Sequence, residues 1–304
     1  MGLRPYRYRC AGILAGLVLA LLCRLPAQEL PPTASVAKEG KPPLLQRVVV
    51  VGASVTHGFG NDLPVARVLE GAIRADHAPV LDASVGLQFL DPVRLGEEQI
   101  DRCLEHRATL VVGIDFLFWY AYGPTFRDAA ELERRRNKFK LGLAQLERLK
   151  CPVVVGDLPD MRGADRRMLH PVQIPSPPVL EALNGELRTW AAGRKSVLVV
   201  PLAAWVRTLK AGEWKVAASP DGRFPETVLA PRVALQWDRL HPTRAGTLVL
   251  VDRLVHTMKA HFGEAAAGLE LEVWRALEAD RRARESPPQK KEPEEAPPDR
   301  EPAR

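Results

Sequence analysis

Residues 47–60, RVVVVGASVTHGFG, contain the strongest structural signal in the chain. Four consecutive valines, Val48 to Val51, are too apolar for a half-exposed strand and predict the buried central strand of a parallel sheet. The run ends at Gly52, and Ser54 follows two residues later. Open α/β sheets bind ligands just beyond the carboxyl ends of their strands, so the Ser54 hydroxyl is a candidate for chemistry. The alternative is that Ser54 only caps the helix that follows.

Beyond this stretch, apolar runs typical of strands alternate with segments in which apolar residues recur at helical spacing. The predicted strands are 79–84, 109–116, 151–158 and 196–202, and the predicted helices are 63–75, 94–107, 127–150, 178–193 and 243–262. Such alternation implies a parallel sheet with right-handed crossovers. We therefore predict an α/β domain with three layers, α/β/α, around a five-stranded parallel sheet. The segment 203–237 is less regular, and its Asp221-Gly222 pair predicts a turn.

The amino terminus has the pattern of an export signal. Arg4, Arg7 and Arg9 form a positive region, and an apolar run at 11–22 follows that is short for a transmembrane helix. Residues 1–27 therefore predict a signal peptide or, if uncleaved, an N-terminal anchor. The domain is expected to be periplasmic or secreted, and tethered to the membrane if this segment is retained.

The remaining chain divides by composition. Residues 28–46 are rich in proline and small residues and predict a linker, followed by the α/β domain at 47–263. Residues 264–284 predict a helical extension, and 285–304 a disordered tail that is rich in proline and charge. The RRR run at 134–136 is expected on a solvated helix face.

Several classes of function are not supported by the composition. The net charge is +6, but no basic patch interleaves with aromatic residues, so we expect no nucleic-acid partner. Neither a CxxC motif nor a Cys/His cluster indicates a metal, and 52–60 fits no nucleotide-binding loop. Cys103 and Cys151 are expected as two separate buried thiols, with a bridge left open.

A second motif lies far along the chain, at Trp237 to Thr243, WDRLHPT. Asp238 and His241 are three residues apart, so in one helical turn they would face the same side. The carboxylate would then hold one imidazole nitrogen and leave the other free as a general base. Pro242 is expected to begin the closing helix. The alternative is an Asp and a His on the surface of a loop.

Taken together, GASVTHG and DRLHPT, the latter followed by Ala245-Gly246, resemble the sequence blocks of the SGNH or GDSL-like hydrolases over residues 47–262. The resemblance implies a flavodoxin-like fold and a serine ester hydrolase that works through an acyl-enzyme without a cofactor, and the amino-terminal pattern makes it an exported one. It implies that Ser54 is the nucleophile, His241 the base and Asp238 its orienting partner. The expected partner is a small-molecule, carbohydrate or lipid ester.

The same resemblance implies an oxyanion hole built from the N–H of the nucleophile, a glycine N–H and an asparagine side chain. Ser54 and Gly86 fit the first two positions, but Asp115 stands where the family has asparagine. An ionised carboxylate only accepts hydrogen bonds and would oppose an oxyanion, whereas burial could keep Asp115 protonated as a donor. A third possibility is a weakened or inactive site, and hence a binding protein on the same fold.

Four further residues are candidates for lining a substrate. Asp157 and Asp160 follow the fourth predicted strand, where turn formation or helix capping is the alternative role. His57 is close to Ser54 in sequence, with a structural polar role as the alternative. Trp119 belongs to an aromatic cluster, for most of which core packing is the alternative.

Overall fold

The computed structural model describes residues 43–285 and contains one five-stranded sheet in which every neighbouring pair is parallel. Its strands are β1 (Val48–Val50), β2 (Leu81–Asp82), β3 (Leu110–Gly113), β4 (Val153–Gly156) and β5 (Val197–Val200), in the order β2-β1-β3-β4-β5. This is the flavodoxin-like order, which changes direction at β1. The predicted five-stranded parallel sheet is confirmed.

The valine run holds the sheet between two cores. All four valines are at most 1% exposed, and side chains on a strand alternate between its faces. Val48 and Val50 belong to one apolar cluster, and Val49 and Val51 to the other. A strand that is buried on both faces has no place for a polar side chain, which explains the continuous run.

Helices cover both faces of the sheet, as predicted. The helices are α1 (Ser54–His57), α2 (Val65–Ala72), α3 (Pro92–Glu105), α4 (Phe118–Ala121), α5 (Glu131–Glu147), α6 (Pro177–Ala191), α7 (Leu202–Ala211), α8 (Pro231–Ala234), α9 (Arg244–Phe262) and α10 (Val273–Glu285). Helices α2 and α9 pack on one face, and α3, α5 and α6 pack on the other. The domain is therefore a three-layer α/β/α structure.

The segment 203–237 is more regular than its sequence indicates. It contains α7, α8 and a separate antiparallel hairpin of β6 (Trp214–Val216) and β7 (Thr227–Leu229). Asp221-Gly222 lies in the loop of this hairpin, where Gly222 has a φ of +71°, as a turn requires. Strands of three residues that pair only with each other give too short a pattern to recognise in the sequence.

Residues on either side of the predicted domain are packed onto it. Leu45, in the predicted linker, is 3% exposed. Leu269 is fully buried and forms an antiparallel bridge with Ile73, and Arg244 Nε donates to Asp280 Oδ1 at 2.6 Å. Within residues 43–285, no helix is long and apolar enough to cross a membrane. The predicted export segment, most of the linker and nearly all of the tail lie outside the described residues.

Cys103 and Cys151 are free thiols. Burial raises the pKa of Cys103 to about 12 and that of Cys151 to about 11, so both are protonated and poorly nucleophilic near neutral pH.

The expectation that the arginine run at 134–136 is solvated is wrong for Arg135, whose side chain is only 4% exposed. Its Nε donates to Glu131 Oε1 at 2.9 Å, and its Nη1 donates to the Ala121 carbonyl at 2.7 Å. The guanidinium thus satisfies carbonyl groups where α4 ends, and an acidic partner one turn earlier on α5 compensates its charge. A run of like charges does not reveal that one member faces inward.

This arrangement predicts unequal roles for adjacent arginines. Arg135→Ala leaves Glu131 buried without its partner and is expected to lower the free energy of unfolding by about 3 kcal/mol or more. Arg134→Ala is the matched control, because Arg134 is 39% exposed and pairs with Asp128 at the surface. Its loss should stay below about 1 kcal/mol in the same urea titration. Equal losses in the two variants would contradict a specific role for the buried pair.

Candidate active site

Ser54 lies on a sharp turn between β1 and α1. Gly52 has a φ of +150°, and a Cβ atom at this position would overlap Asp115 Oδ1 and Thr56 Oγ1, so only glycine fits. The Gln99 side chain accepts the Gly52 N–H at 2.6 Å. Ser54 is the first residue of α1 and Ala53 is the N-cap residue, with no side-chain capping bond. The capping alternative for Ser54 is therefore wrong, and its hydroxyl is free for another partner.

That partner comes from the loop between α8 and α9. Leu235 and Pro242 form an antiparallel bridge that closes the loop, and Gln236 N donates to the His241 carbonyl at 2.9 Å. The predicted helical turn around Asp238 and His241 is wrong, because these residues lie in this loop. Helix α9 begins later, at Arg244. Asp238 Oδ1 accepts the N–H groups of Leu240 and His241 at 2.9 and 3.0 Å and so folds the loop around its own side chain.

The loop brings three predicted site residues into one hydrogen-bonded chain. Ser54 Oγ lies 2.9 Å from His241 Nε2, and His241 Nδ1 lies 2.6 Å from Asp238 Oδ2. Asp238 and His241 are 1% and 3% exposed, whereas Ser54 is half-buried. A carboxylate that accepts the proton of Nδ1 leaves Nε2 as a base directed at the serine hydroxyl.

The charge on Asp238 is stabilised by these contacts. Burial raises the pKa of this carboxyl, but hydrogen bonds from the His241 ring, the His241 N–H and the Leu240 N–H outweigh burial and bring it below its usual value. Asp238 is therefore ionised near neutral pH and favours the proton on His241 Nδ1.

Other contacts that hold the two loops together were not foreseen. The Phe59 ring lies over the His241 imidazole, with centroids 4.5 Å apart. Gln236 Nε2 donates to the Phe59 carbonyl, and Asn61 Nδ2 donates to the Pro242 carbonyl at 2.9 Å. In the sequence, only the positions of these three residues point to such a role, because Phe59 and Asn61 follow the serine motif and Gln236 precedes the histidine motif.

Asp115 lies beneath the serine turn and is 5% exposed. Its Oδ1 accepts the Ala53 N–H at 2.9 Å and the Thr56 hydroxyl at 2.5 Å. Its Oδ2 accepts the N–H groups of Val55 and Thr56 at 3.0 and 3.3 Å. Each carboxylate oxygen thus accepts two hydrogen bonds from the start of α1, where backbone N–H groups have no partner within the helix.

Burial raises the pKa of Asp115, while the hydrogen bonds from Thr56, Ala53 and Val55 oppose that shift. Three of the four bonds come from backbone N–H groups, which can only donate, so the carboxyl acts at this site as an acceptor. These contacts differ from those of an oxyanion donor, and that role for Asp115 stays a prediction.

The two backbone N–H groups assigned to the oxyanion hole from the sequence have no partner in the described part of the chain. Within residues 43–285, the N–H groups of Ser54 and Gly86 donate to no protein acceptor. A Cβ atom at Gly86 would lie 3.0 Å from His57 Cδ2, so the His57 ring borders this glycine. His57 itself is exposed, and its Nδ1 lies 3.2 Å from Ser84 Oγ.

The remaining candidates are placed differently. Trp119 is 6% exposed and lines a cavity beside Ser54. Asp157 Oδ1 accepts the Ala203 N–H at 2.6 Å at the start of α7. This contact matches helix capping, the alternative to substrate binding that the sequence left open for Asp157. Asp160 forms an ion pair with Arg162. Neither of these aspartates lines the cavity.

In residues 43–285, no group of three or more His, Cys, Asp or Glu side chains is arranged to hold a metal ion.

Comparison with known proteins gives structural similarity only. No family model and no curated protein matches the sequence. A lipase/acylhydrolase from Enterococcus faecalis is 16% identical, with a TM-score of 0.41 over 71% of this chain and 96% of that one. A catalytic mutant of an acetylxylan esterase from Geobacillus stearothermophilus is 13% identical, with a TM-score of 0.43 over 74% and 97%. A GDSL-like lipase from Bacteroides thetaiotaomicron is 15% identical, with a TM-score of 0.38 over 71% and 89%.

Similarity at this level carries no conclusion about the reaction of this chain. What the chain itself provides is a serine, a histidine and an aspartate in one hydrogen-bonded chain at the carboxyl edge of a flavodoxin-like sheet. In strand order and in the sequence blocks that hold these residues, the chain is similar to the SGNH or GDSL-like hydrolases.

Proposed function

We propose that this protein is a serine ester hydrolase with Ser54 as its nucleophile. The observation that carries the proposal is the chain of hydrogen bonds from Ser54 Oγ to His241 Nε2 at 2.9 Å and from His241 Nδ1 to Asp238 Oδ2 at 2.6 Å. A hydroxyl beside a base that a buried carboxylate orients is the arrangement that acyl transfer requires.

In the first half of the proposed reaction, Ser54 Oγ attacks the ester carbonyl carbon while His241 Nε2 accepts the hydroxyl proton. Asp238 stabilises the imidazolium that forms, without itself taking the proton. Collapse of the tetrahedral intermediate breaks the ester C–O bond, and His241 donates its proton to the departing alkoxide. The acyl group stays on Ser54. In the second half, His241 takes a proton from water while the water oxygen attacks the acyl carbon. Collapse of this second intermediate breaks the bond to Ser54 Oγ, which regains its proton from His241 as the acid is released.

The free N–H groups of Ser54 and Gly86 are the proposed donors to the oxyanion. Each donor in such a site typically contributes about a hundredfold or more to the rate. We propose a different role for Asp115, as a positioning residue. Asp115 accepts the N–H groups of Ala53 and Val55, on either side of Ser54, and leaves the Ser54 N–H unpaired. These two bonds fix the direction in which the Ser54 N–H points.

The proposed partner is a small-molecule, carbohydrate or lipid ester, and no cofactor is required by these steps. We also propose that the domain acts outside the cytoplasm, in the periplasm or after secretion. That proposal is supported by the positive and apolar pattern of residues 1–27 alone.

The triad predicts non-additive losses of activity. Ser54→Ala and His241→Ala should each lower kcat/KM for a short-chain aryl ester by about a thousandfold or more, and the double variant should lose little beyond either. The matched control is His256→Ala, because His256 forms a surface pair with Asp252 on α9 at 3.5 Å and should be dispensable. Full activity in Ser54→Ala would contradict the assignment.

Asp115→Asn separates the positioning role of Asp115 from the two oxyanion alternatives, an ionised carboxylate and a protonated donor. If the carboxylate positions the turn, the amide nitrogen faces N–H donors that it cannot accept, and kcat/KM should fall by about tenfold or more. If Asp115 is an ionised residue at the oxyanion, the same substitution should raise kcat/KM by about ten- to a thousandfold. If it is a protonated donor there, the wild type should lose activity as pH rises through its pKa, and the substitution should remove that dependence.

The control is Asp157→Asn, which makes the same change at a carboxylate that caps α7 through the Ala203 N–H. It should cost stability without a comparable loss of activity. A fall in kcat/KM that matches that of Asp115→Asn would show that the loss is a general consequence of a weakened helix start and would contradict a specific positioning role.

Export is tested with reporters fused after residue 46. A reporter that is active only after export should give a signal, and deletion of residues 1–27 should abolish it. A silent export reporter together with an active cytosolic reporter on the same segment would contradict the proposed location.

A further inference from the structure

A cavity of about 70 Å³ lies beside Ser54. Its walls include residues of α4, the loop after β4, α7, β6, the loop after α8, and α9. Its apolar side chains include Trp205, Val206, Leu209, Trp214, Val249 and Leu250. We call this space the apolar cavity.

The apolar cavity offers almost nothing to a polar ligand. Among residues 43–285, those that line it include one hydroxyl, on Ser54, and one carboxyl, on Asp115. Both Asp115 oxygens already accept hydrogen bonds from residues 53, 55 and 56. The hydroxyl of Ser54 is thus the one reactive group at the wall of an otherwise apolar space.

Apolar space binds apolar groups of matching size. An engineered apolar cavity of about 150 Å³ holds benzene, so a cavity of about 70 Å³ suits a short chain of a few carbons. Each methylene group transferred from water into the cavity is expected to strengthen binding by about fourfold.

An ester has an alcohol part and an acyl part, and they leave the enzyme at different steps of the reaction. The alkoxide must depart and be replaced by water, so it requires an open path past His241. The acyl chain stays attached to Ser54 through both steps and needs no exit. The walls of the cavity include the core residues Leu209 and Val249, which are 7% and 1% exposed, so the space fits the acyl chain, which stays bound through both steps.

We propose that the apolar cavity holds the acyl chain of the substrate and selects short unbranched chains over both acetyl groups and long chains. This inference rests on the proposed ester hydrolysis and adds the substrate class. Acetyl groups leave the cavity empty, and long chains exceed it. Trp205 and Trp214, whose rings meet edge to face with centroids 6.4 Å apart, form part of its wall, so truncating one of them should enlarge it.

The test uses p-nitrophenyl esters from acetate to dodecanoate, which differ only in the acyl chain. The wild type should show the highest kcat/KM for butanoate and hexanoate. Val206→Phe fills the cavity and should lower kcat/KM for hexanoate by at least tenfold while changing that for acetate by less than threefold. Val228→Phe makes the same change at a residue that is 53% exposed on the hairpin and should leave the profile unchanged.

A second variant distinguishes a filled cavity from a folding defect in Val206→Phe. Trp205→Ala enlarges the cavity, and the preferred chain should lengthen toward octanoate. Binding is measured separately in Ser54→Ala, which cannot hydrolyse a substrate, through the fluorescence of the tryptophans that line the cavity. Hexanamide should bind at least tenfold more tightly than acetamide, and adding Val206→Phe should abolish the difference.

The outcomes separate this inference from the proposed function. Hydrolysis with a flat chain-length profile, or a profile unaffected by Val206→Phe and Trp205→Ala, would overturn the acyl-chain assignment and leave the hydrolase standing. Chain-dependent binding of hexanamide without hydrolysis of any ester would support the cavity as a site for apolar chains and overturn the proposed function. Preference for acetate in hydrolysis together with equal binding of the two amides would overturn the assignment outright.

Discussion

The contact between the Asp115 carboxylate and the start of α1 is the constraint on which the rest of the site depends. One oxygen accepts the Ala53 N–H and the other accepts the Val55 N–H, so the chain is held on both sides of Ser54. This contact requires glycine at position 52, because a side chain there would overlap the carboxylate. The sheet supplies the placement, since β1 and β3 are neighbours and both end at this edge.

A second constraint brings the distant end of the chain to the same point. Ser54 and His241 are 187 residues apart and meet because α9 packs beside α2, which follows the serine turn. The loop that holds His241 is tied to the serine side by hydrogen bonds from Asn61 to the Pro242 carbonyl and from Gln236 to the Phe59 carbonyl. The histidine is therefore positioned by loop-to-loop contacts and by the Asp238 side chain.

Much of the fold could be predicted from the sequence because its signals are local. The valine run and the alternation of strands and helices depend on side-chain period and burial, and the structure contains the five parallel strands and covering helices that they predict. The hairpin at 214–229 escaped recognition because its strands are short and pair only with each other. The burial of Arg135 escaped recognition because it depends on carbonyl groups of α4, which no local pattern indicates.

The sequence predicted which residues form the site better than it predicted the contacts that those residues make. The spacing of Asp238 and His241 identified a carboxylate and an imidazole that meet, although they do so in a loop. The contacts of Asp115 could not be predicted, because the sequence gives its type and not the direction of its side chain. The apolar cavity was also beyond sequence reasoning, since its walls come from elements that are separate in sequence, α7, the hairpin and α9.

The central claim is that Ser54 is activated by His241, and covalent labelling tests it most directly. A fluorophosphonate reacts with a serine whose hydroxyl is deprotonated by a neighbouring base and leaves other serines unmodified. Mass spectrometry of the labelled protein should place one phosphonyl group on the peptide that contains Ser54, with labelling lost in His241→Ala and retained in His256→Ala. An unlabelled wild-type protein that is folded, or a label on any other serine, would contradict the account.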